Sequence, residues 1–302
     1  MASQSSPPAE ADRQLPVGKE IFLDHVGHFV RDPDAASRAL VRAGFAPTPV
    51  SVQVATDSTG VQNLVGTGNV TAMFTCGYIE MLFKTADTPL GHELDAAMAR
   101  YPGVHLAAFA VAHAGKTHRR LAESGFRMRP LVELQRPVDT EQGSGTAAFT
   151  VARVEAGEMP EGRIQVLTHH TEKFVWQPRW LSHPNGALAL ASVTIVVADV
   201  AEAAARFARF TARDASSAAF GQTIQLDRGR IDLVTAAAFA QIVPDVAIPA
   251  LPFIGAYGIK IKSLPALQDT LMRNRFQTRR SADGLCSLFP EELGHGAWLF
   301  TE

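Results

Sequence analysis

An imidazole and a carboxylate stand in two apolar stretches of this chain: His25 in Ile21-Phe22-Leu23-Asp24-His25-Val26, and Glu80 in Gly77-Tyr78-Ile79-Glu80-Met81-Leu82-Phe83. Imidazole and carboxylate ligate divalent ions such as Fe(II), Mn(II), Zn(II) and Ni(II), and both can carry a proton in acid–base chemistry. Burying Glu80 between Ile79 and Met81 without a partner would be costly, which argues for a site. The Glu80 stretch has copies. Gly162-Arg163-Ile164-Gln165 puts an amide in its slot, and Gly229-Arg230-Ile231-Asp232 puts a shorter acid there. Because the third copy has Ser192 rather than histidine in its opening strand, the chemistry is expected in the first half of the chain.

The elements that must hold these groups follow from patterning. Ile21–Val30 is a β-branched and aromatic run closed by the turn-forming Arg31-Asp32-Pro33-Asp34, so it reads as a strand. Ala35–Ala43 has apolar residues at helical spacing and is stopped by Gly44. Extended stretches follow at Pro47–Ala55, Asn69–Cys76 and Gly77–Lys84, giving the order strand, helix, strand, strand, strand. The order returns at Val104–Val111, with a helix over Lys116–Ser124 and Gly125-Phe126 copying Gly44-Phe45. Fourteen positions separate Val30 from Gly44 and Val111 from Gly125, so the two helices superpose without a gap. A third copy opens with Ser192–Val197 and Asp199–Phe207. A fourth runs from Ala256–Ile261 through a helix at Leu264–Arg275 to Gly296–Phe300. Four units of about 70 residues account for nearly the whole chain.

A β-α-β-β-β unit opened by Leu23-Asp24-His25-Val26 and closed by Gly77-Tyr78-Ile79-Glu80 resembles the vicinal oxygen chelate superfamily, which includes glyoxalase I and extradiol dioxygenases. Together with His169-His170-Thr171, Trp176-Gln177-Pro178-Arg179-Trp180 and His183-Pro184-Asn185-Gly186-Ala187, it is similar to the glyoxalase-like branch. The resemblance implies an α+β fold in which four βαβββ modules pair into two cupped mixed β-sheets with flanking helices. The expected divisions are a disordered tail over 1–18, a glyoxalase-like domain over 19–171 carrying the site, a linker over 172–187 and a second such domain over 188–302.

The resemblance also implies a divalent metal, Fe, Mn, Zn or Ni, held by His25, Glu80 and a third ligand, His105, on the opening strand of the second unit. Aligning Gly125 with Gly44 pairs His25 with Leu106, so His105 reaches the cup only if a bulge shifts that strand by one residue. Gln165 occupies the slot equivalent to Glu80. His169, four residues further along the same strand face, is the candidate general base, with Glu80 as a second catalytic group. Gln165, Asn63 and His170 are the candidate substrate contacts. His28, three positions from His25, falls on the opposite strand face and is read as structural, and Trp176 and Trp180 are read as linker packing. The function implied is a metal-dependent lyase or isomerase acting on a small molecule chelated through neighbouring oxygens. An extradiol-type dioxygenase and a metal-free binding protein stay open as alternatives. Typical two-domain extradiol enzymes hold their metal in the second pair of units, which favours lyase or isomerase chemistry here.

Bulk properties bound these readings. With 302 residues, 46% of them hydrophobic, the chain buries a sizeable core. Twenty-eight basic against 30 acidic residues leave a net charge of -2, which gives no long-range attraction for nucleic acid or an anionic membrane. No apolar run approaches the roughly 20 residues that span a bilayer, and the Met1–Pro8 start lacks the regions of a signal peptide. Two cysteines, Cys76 and Cys286, suit a reducing compartment. A cytoplasmic protein with a small-molecule partner is expected, and a homodimer is compatible with this reading.

Overall fold

A computed structural model describes residues 13–56, 62–281 and 284–302; the side chains of residues 55, 56, 62 and 63 lie outside that description. The first unit comprises β1 (Ile21–Phe29), α1 (Pro33–Arg42), β2 (Ser51–Thr56), β3 (Gln62–Met73) and β4 (Tyr78–Lys84). Helix α2 (Pro89–Arg100) leads to β5 (Gly103–Val111), α3 (Ala114–Glu123), β6 (Val132–Thr140), β7 (Gly143–Arg153) and β8 (Arg163–His169). After α4 (Glu172–Val175) come β9 (Ala187–Val196), α5 (Val200–Thr211), β10 (Ala215–Ala218), β11 (Gly221–Gln225) and β12 (Arg230–Val234). Helix α6 (Ala236–Ile242) precedes β13 (Phe253–Ile261), α7 (Leu264–Arg273), β14 (Thr278–Arg280), β15 (Leu285–Leu288) and β16 (Ala297–Thr301).

These strands form the α+β architecture of four β-α-β-β-β units. In each unit the last strand lies parallel beside the first, and units join in pairs through antiparallel first strands, β1 to β5 and β9 to β13. The strand orders are β2-β3-β4-β1-β5-β8-β7-β6 and β10-β11-β12-β9-β13-β16-β15-β14, hydrogen-bonded to each other at the pair Val104 and Ile254. One face of both sheets, with the buried residues of α1, α3, α5 and α7, forms a shared core that includes Leu23, Val26, Leu40, Phe109, Leu121, Phe207 and Leu271. Among the described residues no helix is long and apolar enough to cross a membrane.

Element boundaries follow local chemistry. Asp32, rather than Asp34, caps α1, its carboxylate accepting from the Asp34 and Ala35 amides, so the helix begins at Pro33. Gly44 ends this helical segment with φ of +80°, and a Cβ there would meet the Cβ of Asn185 at 2.8 Å. Strand β3 begins well before Asn69 because it forms a hairpin with β2, and it ends at Met73 where the chain turns back through Gly77. Of the tail expected over 1–18, residues 1–12 lie outside the described residues. Arg13 bonds Glu20 at 3.0 Å and Pro16 is buried.

His28 lies on the core face of β1, opposite the face of His25. Its Nδ1–H donates to the carbonyl of Leu293 at 2.8 Å, and its Nε2 accepts from the Tyr257 hydroxyl at 3.0 Å, which in turn accepts from Trp298 Nε1 at 2.7 Å. Each proton in this chain has one place to go, and the imidazole must be neutral; the tautomer is assigned from the network. Burial pushes the imidazole down to about 4, and the neighbouring His105 contributes in the same direction, while the bond to Leu293 opposes it. The unfolded chain therefore takes up this proton first as pH falls, and the fold loses stability between about pH 6.5 and 4. The share from His28 is about 3 kcal/mol at the low end. Urea unfolding across this range should show that decline, and His28→Leu should flatten it while lowering stability at pH 7.

Candidate functional site

The first strands carry a bulge at a repeated position. In β1, Leu23 pairs with Phe109 and His25 with Ala108, leaving Asp24 as the extra residue. In β5, Leu106 pairs with Gly27 and Val104 with His28, leaving His105. Ala191 in β9 and Gly255 in β13 are skipped in the same way. In three of the units a glycine before the last strand sits over the bulged carbonyl: a Cβ would lie 2.8 Å from the Asp24 oxygen at Gly77, 2.5 Å from the His105 oxygen at Gly162, and 2.6 Å from the Gly255 oxygen at Gly296, whereas at Gly229 it would meet the Leu23 side chain at 2.7 Å. In those three the repeating glycine of the sequence is thus required by the bulge.

A bulge turns two consecutive side chains to one face. Asp24 and His25 therefore both enter the cup. Asp24, fully buried, accepts from His25 Nδ1 at 2.7 Å and from His169 Nε2 at 2.9 Å. Burial opposes ionisation of this carboxyl, but the charge and hydrogen bond of His169, then those of His25, outweigh it and hold the group well below the usual carboxylate range. The ring of His25 stacks on Tyr78 at 4.4 Å, and its Nε2 faces Glu80 Oε2 at 3.6 Å. Glu80 Oε1 accepts from Asn69 Nδ2 at 2.6 Å. Glu80 shares the cup face of β4 with Tyr78 and Leu82, while Ile79 and Met81 point into the core.

Across the cup, Leu106 occupies the position equivalent to His25, and Arg163 and Gln165 those of Tyr78 and Glu80. The bulge needed to turn β5 is present, but it makes His105 the counterpart of Asp24. His105 does not line the cup with His25 and Glu80, because it is sandwiched between Tyr101 and Phe29, with Nε2 donating to the Tyr101 carbonyl at 2.7 Å. Gln165 lines the cup and its Oε1 accepts from Arg153 Nε at 2.9 Å. His170 is exposed and its Nε2 bonds Thr150 Oγ1 at 2.6 Å. The backbone of Asn63 is in β3, but its side chain lies outside the described residues.

Several site groups were not anticipated. Trp176, from the segment read as a linker, packs at 4.7 Å from His169 and 6.0 Å from Tyr78, so it forms a wall beside both. Arg136, Arg153 and Arg163 all line the cup with Glu80. Burial lowers Arg163, and lowers Arg153 to about 10 with the Arg163 charge adding to the effect; both stay cationic at neutral pH. No signal in the sequence separates them, since Arg163-Ile164-Gln165 has the same pattern as Arg230-Ile231-Asp232, whose arginine is exposed. The cup floor is a small space of about 60 Å³, and a cavity of about 470 Å³ adjoins it, sharing Gln53, Leu134, Arg136 and Phe149.

The donor set does not fit a divalent ion. His25 Nε2 and Glu80 offer two ligand groups, but the third position is the hydrocarbon Leu106, the fourth is an amide oxygen taken by Arg153, and three guanidinium groups line the same space. Among the described residues no three His, Cys, Asp or Glu side chains are arranged to hold a metal.

A family model described as a glyoxalase-like domain matches residues 23–211. A comparison with curated proteins found no match. Among solved structures, a hypothetical protein from Staphylococcus aureus aligns with 93% of this chain and 99% of its own, at 9% identity and a TM-score of 0.64. A 4-hydroxymandelate synthase mutant from Streptomyces coelicolor aligns with 94% of this chain and 93% of its own, at 12% identity and 0.53. A xylose isomerase-like TIM barrel/4-hydroxyphenylpyruvate dioxygenase fusion protein aligns with 96% of this chain and 50% of its own, at 11% identity and 0.52.

Removing Asp24 strands two buried imidazoles. Asp24→Ala should lower the unfolding free energy by roughly 3–5 kcal/mol, whereas Asp232→Ala, in the equivalent unit of the second half and half-buried, should cost less than about 1 kcal/mol. Denaturant titrations of both variants at pH 7 check the contrast.

Proposed function

This chain belongs to the glyoxalase-like domain family of the vicinal oxygen chelate superfamily, and from that premise we propose that it is a lyase or isomerase that moves a proton on a small oxygen-rich substrate. The observation that carries this reading is the Asp24–His25 pair at 2.7 Å with Nε2 directed toward Glu80 in the cup. A carboxylate on Nδ1 fixes the imidazole tautomer and leaves Nε2 to exchange a proton. Glu80 Oε2 stands 3.6 Å from Nε2, so a proton withdrawn from carbon by one of the two groups can be returned elsewhere by the other. His169, proposed at the outset as the base, stands behind Asp24 and acts as a positioning residue.

Two alternatives separate on the same groups. The dioxygenase name of one structural neighbour belongs to a protein that is 11% identical to this chain, and such chemistry here would need metal donors at the positions of Leu106 and Gln165. A binding protein without catalysis would keep the cup but have no use for the oriented imidazole.

Proton exchange tests the proposal. Incubation in deuterated water with a panel of small aldehydes, ketones, hydroxy acids and oxo acids should show deuterium entering beside a carbonyl in at least one, by proton NMR. His25→Gln should slow this roughly 10²- to 10⁴-fold while leaving the circular dichroism spectrum unchanged. An unchanged rate in the variant, or no exchange with any compound, would overturn the assignment.

A further inference from the structure

The charge balance of the cup is not that of a cation site. Its lining places Arg136, Arg153 and Arg163 against one carboxylate, Glu80, among apolar walls formed by Leu82, Leu106, Val151 and Leu167. Glu93 on α2 bonds Arg163 at 3.2 Å and Arg129 at 2.8 Å. Guanidinium groups held in a poorly hydrated space demand an anion.

The orientation of the two inner arginines is also fixed. Arg153 is held by its Nε to a neutral amide, Gln165, which aims the fork without cancelling its charge. Arg163 is held by one nitrogen to Glu93 and lies over the Phe29 ring at 5.2 Å. We infer that Arg153 and Arg163, with Arg136 at the mouth, form an anion seat in the place where a divalent ion would be expected, and that the substrate is a small organic acid bound through its carboxylate. The planar fork of a guanidinium matches a carboxylate through paired hydrogen bonds. The floor of about 60 Å³ admits such a head group, and the adjoining 470 Å³ cavity, lined by Gln53, Val65, Leu134 and Phe149, receives the remainder. In this arrangement the guanidinium charge also stabilises the oxyanion that forms when a proton leaves the neighbouring carbon.

The inference rests on the proton-transfer reading for its chemistry, but binding tests it separately. Calorimetric titration and thermal shift of the full chain would use acetate, glycolate, malonate and benzoate, the matching amides, inorganic phosphate, and Mn²⁺, Zn²⁺ and Ni²⁺ alone. At least one carboxylate should bind and raise the unfolding temperature, while its amide, phosphate and the metals do not. Arg153→Gln and Arg163→Gln should each weaken the carboxylate roughly 10-fold or more, and Arg153→Lys, which keeps the charge and supports folding, should weaken it less. Asp232→Ala, outside the cup, should bind the carboxylate as the parent does. Equal binding of the amide or of phosphate, stoichiometric metal binding lost in His25→Ala and Glu80→Ala, or no carboxylate binding at all would overturn the anion seat. Carboxylate binding without proton exchange would remove the catalytic reading alone, and exchange confined to neutral carbonyl compounds would remove the anion seat alone.

Discussion

The bulge near the start of each unit's first strand is the constraint on which the rest of the site depends. It inserts one residue in every unit, and in the first, second and fourth units a glycine before the last strand must lie against the bulged carbonyl. The residues in the bulge are Asp24, His105, Ala191 and Gly255. In the first unit the bulge lets a fully buried carboxylate sit beside the imidazole of the next residue, two neighbours that a regular strand would send to opposite faces. A buried carboxylate is tolerable only when paired. Here one partner comes from its own strand and the other, His169, from the end of β8, so the same interaction that orients His25 ties the first two units together.

The second half shows the same frame with its concave face filled by apolar side chains. Its bulges hold Ala191 and Gly255, and the positions after them are Ser192 and Ala256. The face corresponding to the first cup is covered by Phe239 of α6 with Val243, Val246, Ile248 and Ala250, which pack against Val196, Val234 and Ala297. Asp232, in the slot of Glu80, accepts from Thr223 and Arg230 at 2.9 Å each. Apolar filling removes the cost of an empty concave surface, and this half serves the first by sharing its core, through contacts such as His28 with Tyr257.

Side-chain periodicity made the architecture legible. Apolar spacing in Ala35–Ala43, the glycine after it, and the equal distance from Val30 to Gly44 and from Val111 to Gly125 suffice to find the units and align them. That Glu80 belongs to a site was also legible, because a buried acid in an apolar strand requires a partner; that His25 shares the site came from the family resemblance. A bulge is a property of backbone register, and no residue type announces it, so Asp24 could not be seen as facing the cup. For the same reason His105, read as a ligand, becomes the counterpart of Asp24 instead. The arginines were hidden differently. Basic residues in a chain of balanced charge are ordinarily solvated, as Arg230 is, and only tertiary placement separates Arg153 and Arg163 from it.

The two halves of the cup use one device twice. On one side Asn69 donates to Glu80, and on the other Gln165 accepts from Arg153; in each case a neutral amide holds a charged group by a single directed bond. A carboxylate at position 165 would complete a metal donor set, but beside Arg153 it would form an ion pair and neutralise the guanidinium. A lysine at position 69 would do the same to Glu80. Amides orient without neutralising, so Glu80 and Arg153 are each held by a neutral partner around a space of about 60 Å³. The low local dielectric makes charge held in this way costly to the empty fold and favourable to a ligand that pairs with it. The exchange of a carboxylate for Gln165 in the second copy of the strand therefore does more than lose a metal ligand: it reverses the sign of charge that the cup is built to receive.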